Sequence, residues 1–257
     1  MDHTVRASAV RAGNHPVLEN GARLGYAASG VLHLLLGWLA LQLALGHAAT
    51  ADQNGALAAL ASTGIGKALL WVLLAGFILL GVWQVAEAIG RYGKQRIKPA
   101  AKAVVYLALA WTTFSVLRGS GASGNQQSSG TAARLMTYPA GRLLVGAIGV
   151  LVVVVGVYHV VKGWKKKFLT DLREHPNGGV VLAGRIGYVA KGIALALVGG
   201  LFVSAALTAD PTKAKGLDGA LRSLLALPLG RVLLILVAVG LAAYGIYSFA
   251  RARYARV

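Results

Sequence analysis

Cysteine is absent from the 257-residue chain, which excludes disulfides, thiol nucleophiles, iron–sulfur clusters and cysteine-ligated zinc. The absence carries no message about compartment, because a bundle embedded in lipid needs no covalent staples. Acid is scarce too, with eight Asp and Glu against 26 Lys and Arg. So few carboxylates, most of them in loops or tails, leave little for acid–base catalysis or for a metal cluster. The chain also lacks His-Glu-x-x-His, Gly-x-Ser-x-Gly and a phosphate-binding loop. No catalytic residue, metal ligand or cofactor is expected.

Charged residues of every kind make up only 13% of the chain, where a soluble domain carries about a quarter. Hydrophobic residues reach 56% and the mean hydropathy is +0.64. The apolar residues come in blocks, at roughly 24–45, 68–89, 101–117, 142–161, 186–207 and 232–250. A hydrocarbon core of about 30 Å needs ~20 apolar residues per helix, so the blocks predict six transmembrane helices. The third block is the shortest, and the repeat described below requires it. A polar segment of residues 1–21 precedes the first block with no cleavage site in view, which predicts an uncleaved first helix.

The net charge of +18 follows the blocks. Sixteen basic residues fall in segments that share one side, among them Arg23, Arg91, Lys94, Arg96, Lys98, Lys162, Lys165, Lys166, Lys167, Arg185, Arg251 and Arg253. The other side has eight, from Lys67 to Arg231. The positive-inside rule then puts both termini in the cytoplasm of a multi-pass protein of the cell membrane. Lys165-Lys166-Lys167, after Trp164, suits anionic lipid on the cytoplasmic side. The charge reports topology, and no nucleic-acid partner is expected.

A threefold internal repeat is the strongest signal. Gly55-Ala56-Leu57, Gly130-Thr131-Ala132 and Gly219-Ala220-Leu221 align without gaps, as do Gly66-Lys67, Gly141-Arg142 and Gly230-Arg231. Gly81-Val82-Trp83, Gly156-Val157-Tyr158 and Gly245-Ile246-Tyr247 follow at the same spacing. Arg23-Leu24-Gly25-Tyr26 also matches Arg185-Ile186-Gly187-Tyr188, whereas the middle unit has Pro99 in place of tyrosine. The units are 22–92, 97–168 and 184–254, each a hairpin of two crossings. Such copies are parallel repeats about an axis along the membrane normal, and a pseudo-threefold six-helix bundle is the simplest arrangement.

Between the crossings of each unit the pattern predicts a short amphipathic helix on the outer surface. Asn54, Ser129 and Asp218 are placed to cap these helices. Pro139 and Pro228, with Gly64 in the first copy, end them. Gly30, Gly37, Gly81, Gly156, Gly192 and Gly245 would let helix backbones approach closely in lipid. Gly25 and Gly187, beside Tyr26 and Tyr188, suit the same tight packing. Trp83, Tyr158, Trp164 and Tyr247 read as interfacial anchors.

The Arg-x-Gly-Tyr-x-Ala-x-Gly opening of a hairpin, the Gly-Arg pair and the closing Gly-x-Tyr resemble the bacterial membrane family catalogued as domain of unknown function 1206. The resemblance extends from about residue 22 to 254 and implies three tandem hairpins. It implies no chemistry.

Ionisable residues at membrane depth invite a functional reading. Gln84, His159 and Ser248 are equivalent, and so, three residues on, are Glu87, Lys162 and Arg251. Around an axis these six would form a polar ring near its cytoplasmic end, with Glu87 and His159 as titrating members. Alternatively, Glu87, Lys162 and Arg251 reach water from the helix ends, with Glu87 paired to Lys102 or Lys94. His33 lies ~15 Å into the first helix at 1.5 Å per residue, with Tyr106 as its equivalent in the second unit. A hydrogen bond to a carbonyl or to Tyr106 is one role, and haem ligation with His159 the other, although their depths match poorly. Lys102 and Lys191 would reach lipid phosphates or Glu87, or hold a bound anionic lipid or substrate.

The expectation is therefore an all-α membrane bundle. Its first functional reading is a non-enzymatic protein that binds lipid, or scaffolds or modulates a membrane-protein partner or a second copy of itself. The alternative is a small channel or transporter along the axis, lined by Glu87, His159 and His33. An intramembrane enzyme or haem protein stands third.

Overall fold

The structure, a computed structural model, describes residues 16–90, 96–120, 123–173 and 176–254. The tail through residue 15, with Arg6 and Arg11, lies outside the described residues, as do Arg91, Lys94 and Arg256.

Each repeat folds as long helix, short helix, long helix. The first contributes α1 (Pro16–Ala44), α2 (Gln53–Ala61) and α3 (Gly64–Ile89). The second contributes α4 (Ile97–Leu117), α5 (Gly124–Met136) and α6 (Gly141–Trp164), and the third α7 (Gly178–Thr208), α8 (Leu217–Leu225) and α9 (Gly230–Tyr254). The six long helices are each long and apolar enough to cross a membrane. They begin and end where the local chemistry directs. The Asn177 side chain accepts from the Val180 N–H at the start of α7, and the Thr63 hydroxyl accepts from the Gly66 N–H at 3.0 Å beside the start of α3. α1 and α7 start earlier than the hydropathy blocks, at Pro16 and Gly178.

The chain forms two compact units, residues 53–123 and residues 1–52 with 124–257. In the first, α3 packs along α4, and α2 touches both. In the second, α6 packs along α7, α1 along α9, and α7 against α9. One pairing rule runs through both units: the closing helix of a repeat packs on the opening helix of the next, with α9 returning to α1.

The repeated glycines explain that rule. A β-carbon on Gly156 would lie 2.7 Å from the Gly192 carbonyl oxygen and 2.8 Å from the Ala196 nitrogen. One on Gly245 would lie 2.9 Å from the Gly30 oxygen and 3.0 Å from the Leu34 nitrogen. On Gly81 it would meet the Leu107 side chain at 2.7 Å. Leu34, Leu107 and Ala196 are equivalent in the repeat, so the three closing helices touch the next opening helix at one register. Gly37 faces the Ala238 carbonyl in the same way, and Gly187 faces the Tyr244 backbone. Gly25 departs from the expectation, since a β-carbon there would meet nothing within 4 Å.

The short helices form where expected, but they start before Asn54, Ser129 and Asp218, which lie inside them. Ser129 turns its hydroxyl back onto the Asn125 carbonyl at 2.8 Å. The N-terminus of α5 is met instead from the first repeat, by the Asp52 carboxylate on the Gly124 N–H at 2.8 Å. Asp218 accepts from the Ala51 N–H at 2.9 Å, the Asn125 amide at 2.8 Å and the Arg222 guanidinium at 2.8 Å. Asn125 in turn accepts from the Gly219 N–H at 2.9 Å. Asp52 and Asp218 are both buried, at 3% exposure. These bonds knot one segment of each repeat together, and the satisfied donors offset the cost of burying two carboxylates.

Candidate functional site

At the other end of the larger unit, residues far apart in the chain converge on Tyr188. The connection after α6 begins the assembly. Lys166 adopts a left-handed conformation (φ 54°), and a 3-10 turn over Lys167–Asp171 follows. This reversal carries Phe168 to full burial and leaves Lys165, Lys166 and Lys167 exposed.

Phe168 stacks on Tyr188 at 5.4 Å between ring centres and meets Tyr247 edge-on at 5.1 Å. Tyr188 is edge-on to Tyr244 at 5.2 Å and to Tyr247 at 5.6 Å. Edge-to-face pairs of this kind contribute about 0.5–1.5 kcal/mol each beyond the area they bury. The Tyr247 hydroxyl donates to the Phe168 carbonyl at 3.0 Å, so its polar end is satisfied in the core. Tyr247 is therefore not an interfacial anchor. Its equivalents Trp83 and Tyr158, and Trp164, remain more than half exposed, as an anchor requires.

Cations line this aromatic core. Lys191 places its ammonium 4.2 Å from the Tyr244 ring centre, Lys162 lies 5.3 Å from Tyr188, and Arg251 lies 4.1 Å from Tyr26. Each sits within the ~6 Å at which a ring face attracts a cation. Lys191 thus lays its ammonium over the face of Tyr244. Lys162 also pairs with Asp171 at 2.7 Å. Arg251 donates to the Tyr26 hydroxyl at 3.0 Å, and its Nε is buried with no hydrogen-bond partner among the described residues. Around the rim, Arg23 donates to the Arg253 carbonyl at 3.1 Å, and Arg185 lies 4.9 Å from the exposed Trp164 ring.

Both histidines use one ring nitrogen on their own helix. His33 Nδ1–H donates to the Ser29 carbonyl at 2.7 Å, and His159 Nδ1–H donates to the Val155 carbonyl at 2.8 Å. The contacts His33–Tyr244–Tyr188–His159 put two tyrosines on the path from one histidine to the other. Ser248 returns its hydroxyl to the Tyr244 carbonyl at 2.8 Å.

Of the six residues expected in a polar ring, His159, Lys162, Ser248 and Arg251 thus belong to or flank the Tyr188 cluster. Gln84 and Glu87 belong to the unit of residues 53–123. There Gln84 is buried with its carbonyl oxygen unpartnered among the described residues, Glu87 is half-buried, Tyr106 is half-buried and Lys102 is exposed. Sequence reasoning missed Phe168, Asp171 and Tyr244. The clue available was the third repeat, where Tyr188 and Tyr247 mark the starts and ends of helices that must pack together. In chemical terms the cluster is a rigid aromatic core that fixes cations at one end, with Asp171 balancing Lys162.

The chain is 30% identical over 261 residues to a Bacillus subtilis protein named "Uncharacterized protein YxxB", covering 96% of this chain and 94% of that one. No solved structure matches it. The family described as "Domain of Unknown Function (DUF1206)" matches it three times in tandem, over residues 24–91, 97–166 and 186–255, and the chain belongs to that family.

Proposed function

We propose that the chain is a multi-pass protein of the cytoplasmic membrane, with both termini in the cytoplasm, and that it acts without catalysis by binding anionic lipid headgroups at its basic end. The observation that carries this reading is the exposed run Trp164-Lys165-Lys166-Lys167 beside Arg185, anchored by burial of Phe168. Four helix ends and one connection supply cations there. A lysine near an anionic bilayer surface contributes about 1 kcal/mol, and the exposed indole suits the headgroup region.

The test is native mass spectrometry of the full chain released from nanodiscs that contain phosphatidylglycerol and phosphatidylcholine. Phosphatidylglycerol should be enriched among retained lipids. The triple substitution Lys165→Gln, Lys166→Gln, Lys167→Gln should weaken that preference by at least ~10-fold, given about 1 kcal/mol per lysine. Equal retention of the two lipids would overturn the proposal. So would solute flux or substrate turnover by the reconstituted chain alone, which the channel and enzyme alternatives require.

A further inference from the structure

A groove of about 700 Å³ runs along α6 and α7, away from the Tyr188 cluster. Its walls are apolar, including Gly146, Ala147, Val150 and Val154 of α6 and Ala206 of α7, and Arg142 stands at one end. The guanidinium is fixed there, because Nε donates to the Ala206 carbonyl at 3.0 Å and Nη2 to the Leu207 carbonyl at 3.2 Å. Those carbonyls belong to the last turn of α7, where a cation is favoured. An arginine carries five N–H donors, so these two bonds leave donors for an anion.

We infer that this groove holds one acyl chain of a bound phospholipid, with the headgroup phosphate on Arg142. Three observations support that occupant. From Arg142 to Val154 the helix rises about 18 Å at 1.5 Å per residue, close to the ~15 Å depth of one leaflet. Among the described residues, the one charge that lines the groove is positive and sits at its mouth, as a phosphate at the headgroup level demands. The space also has a sequence cause peculiar to the second repeat. Where it carries Gly146 and Ala147, the first carries Trp71 and Val72 and the third Ile235 and Leu236. A β-carbon on Gly146 would already lie 3.2 Å from the Ala206 methyl, so the groove's depth depends on that glycine.

The inference rests on the proposed membrane residence but not on the basic end. On the proposed topology the groove opens to the outer leaflet, opposite Lys165–Lys167. The test is native mass spectrometry of the full chain in mild detergent, titrated with phosphatidylglycerol. Ala147 is exposed to the groove, so Ala147→Trp fills it with little disturbance of the α6–α7 contact, and Arg142→Gln removes the charge.

The wild type should retain one tightly held lipid, with each variant weakening it by at least ~10-fold, equivalent to about 1.4 kcal/mol. Arg142→Lys should restore most of the loss, which a purely structural role for the arginine would not allow. The triple lysine substitution should leave this lipid in place. Unchanged binding in Ala147→Trp, with its helical circular dichroism and unfolding temperature intact, would overturn the inference. Loss of this lipid in the triple lysine variant, with Ala147→Trp unaffected, would assign it to the basic end instead.

Discussion

The carboxylate of Asp218 accepts the backbone N–H of Ala51 at 2.9 Å, tying the third repeat to the first. The same carboxylate takes the Asn125 amide of the second repeat. Asp218→Ala would strand these two donors, while the half-exposed Arg222 guanidinium keeps water and the Ala49 carbonyl, at a cost of about 1–3 kcal/mol. Asp218→Asn keeps one acceptor and should lose less. Unfolding followed by circular dichroism in detergent would rank wild type, Asn and Ala in that order. An Ala variant as stable as the wild type would mean the knot holds nothing together.

The register between α6 and α7 makes a sharper prediction from two glycines on one helix. A β-carbon on Gly192 would lie 2.5 Å from the Gly156 carbonyl oxygen, whereas one on Gly200 meets nothing within 4 Å. Gly192→Ala should therefore destabilise by about 1–3 kcal/mol through overpacking. Gly200→Ala should be neutral, or stabilising by up to ~1 kcal/mol from helix propensity. The same unfolding assay separates the signs, and equal effects would contradict the close-packed register.

Tyr247 and Tyr158 occupy one position of the repeat, yet the first is fully buried and the second 59% exposed. Removing the Tyr247 hydroxyl strands the Phe168 carbonyl, so Tyr247→Phe should cost about 1 kcal/mol. Tyr158→Phe should cost nothing measurable. A matched pair of melts would show the difference or refute it.

That same pair shows where the sequence stops being legible. The spans, the three units and the packing glycines could be read because each is a pattern of linear spacing. A tyrosine near a helix end has one linear signature whether it faces a membrane surface or the protein core. The environment of Tyr247 was set by Phe168, which reaches it only through the left-handed turn at Lys166. Asp218 was misread for a related reason. An acid ahead of a glycine near a helix start looks like a cap, while two of its three partners lie 93 and 167 residues away. His33 was better served by local reasoning, since it bonds a carbonyl four residues back on its own helix; the same local bond of His159 was not anticipated.

Because the chain contains no cysteine, a single introduced thiol reports which face of the membrane its site occupies. Thr170 lies exposed beside the lysine run, and Thr137 lies exposed in the connection between α5 and α6. Thr170→Cys and Thr137→Cys would be labelled in intact and in opened cells with a maleimide that cannot cross the membrane. If the basic end meets the cytoplasmic leaflet, Thr137→Cys reacts in intact cells and Thr170→Cys reacts only after opening. The reverse pattern would put Lys165, Lys166 and Lys167 outside the cell and refute the account of anionic-lipid binding at the cytoplasmic surface.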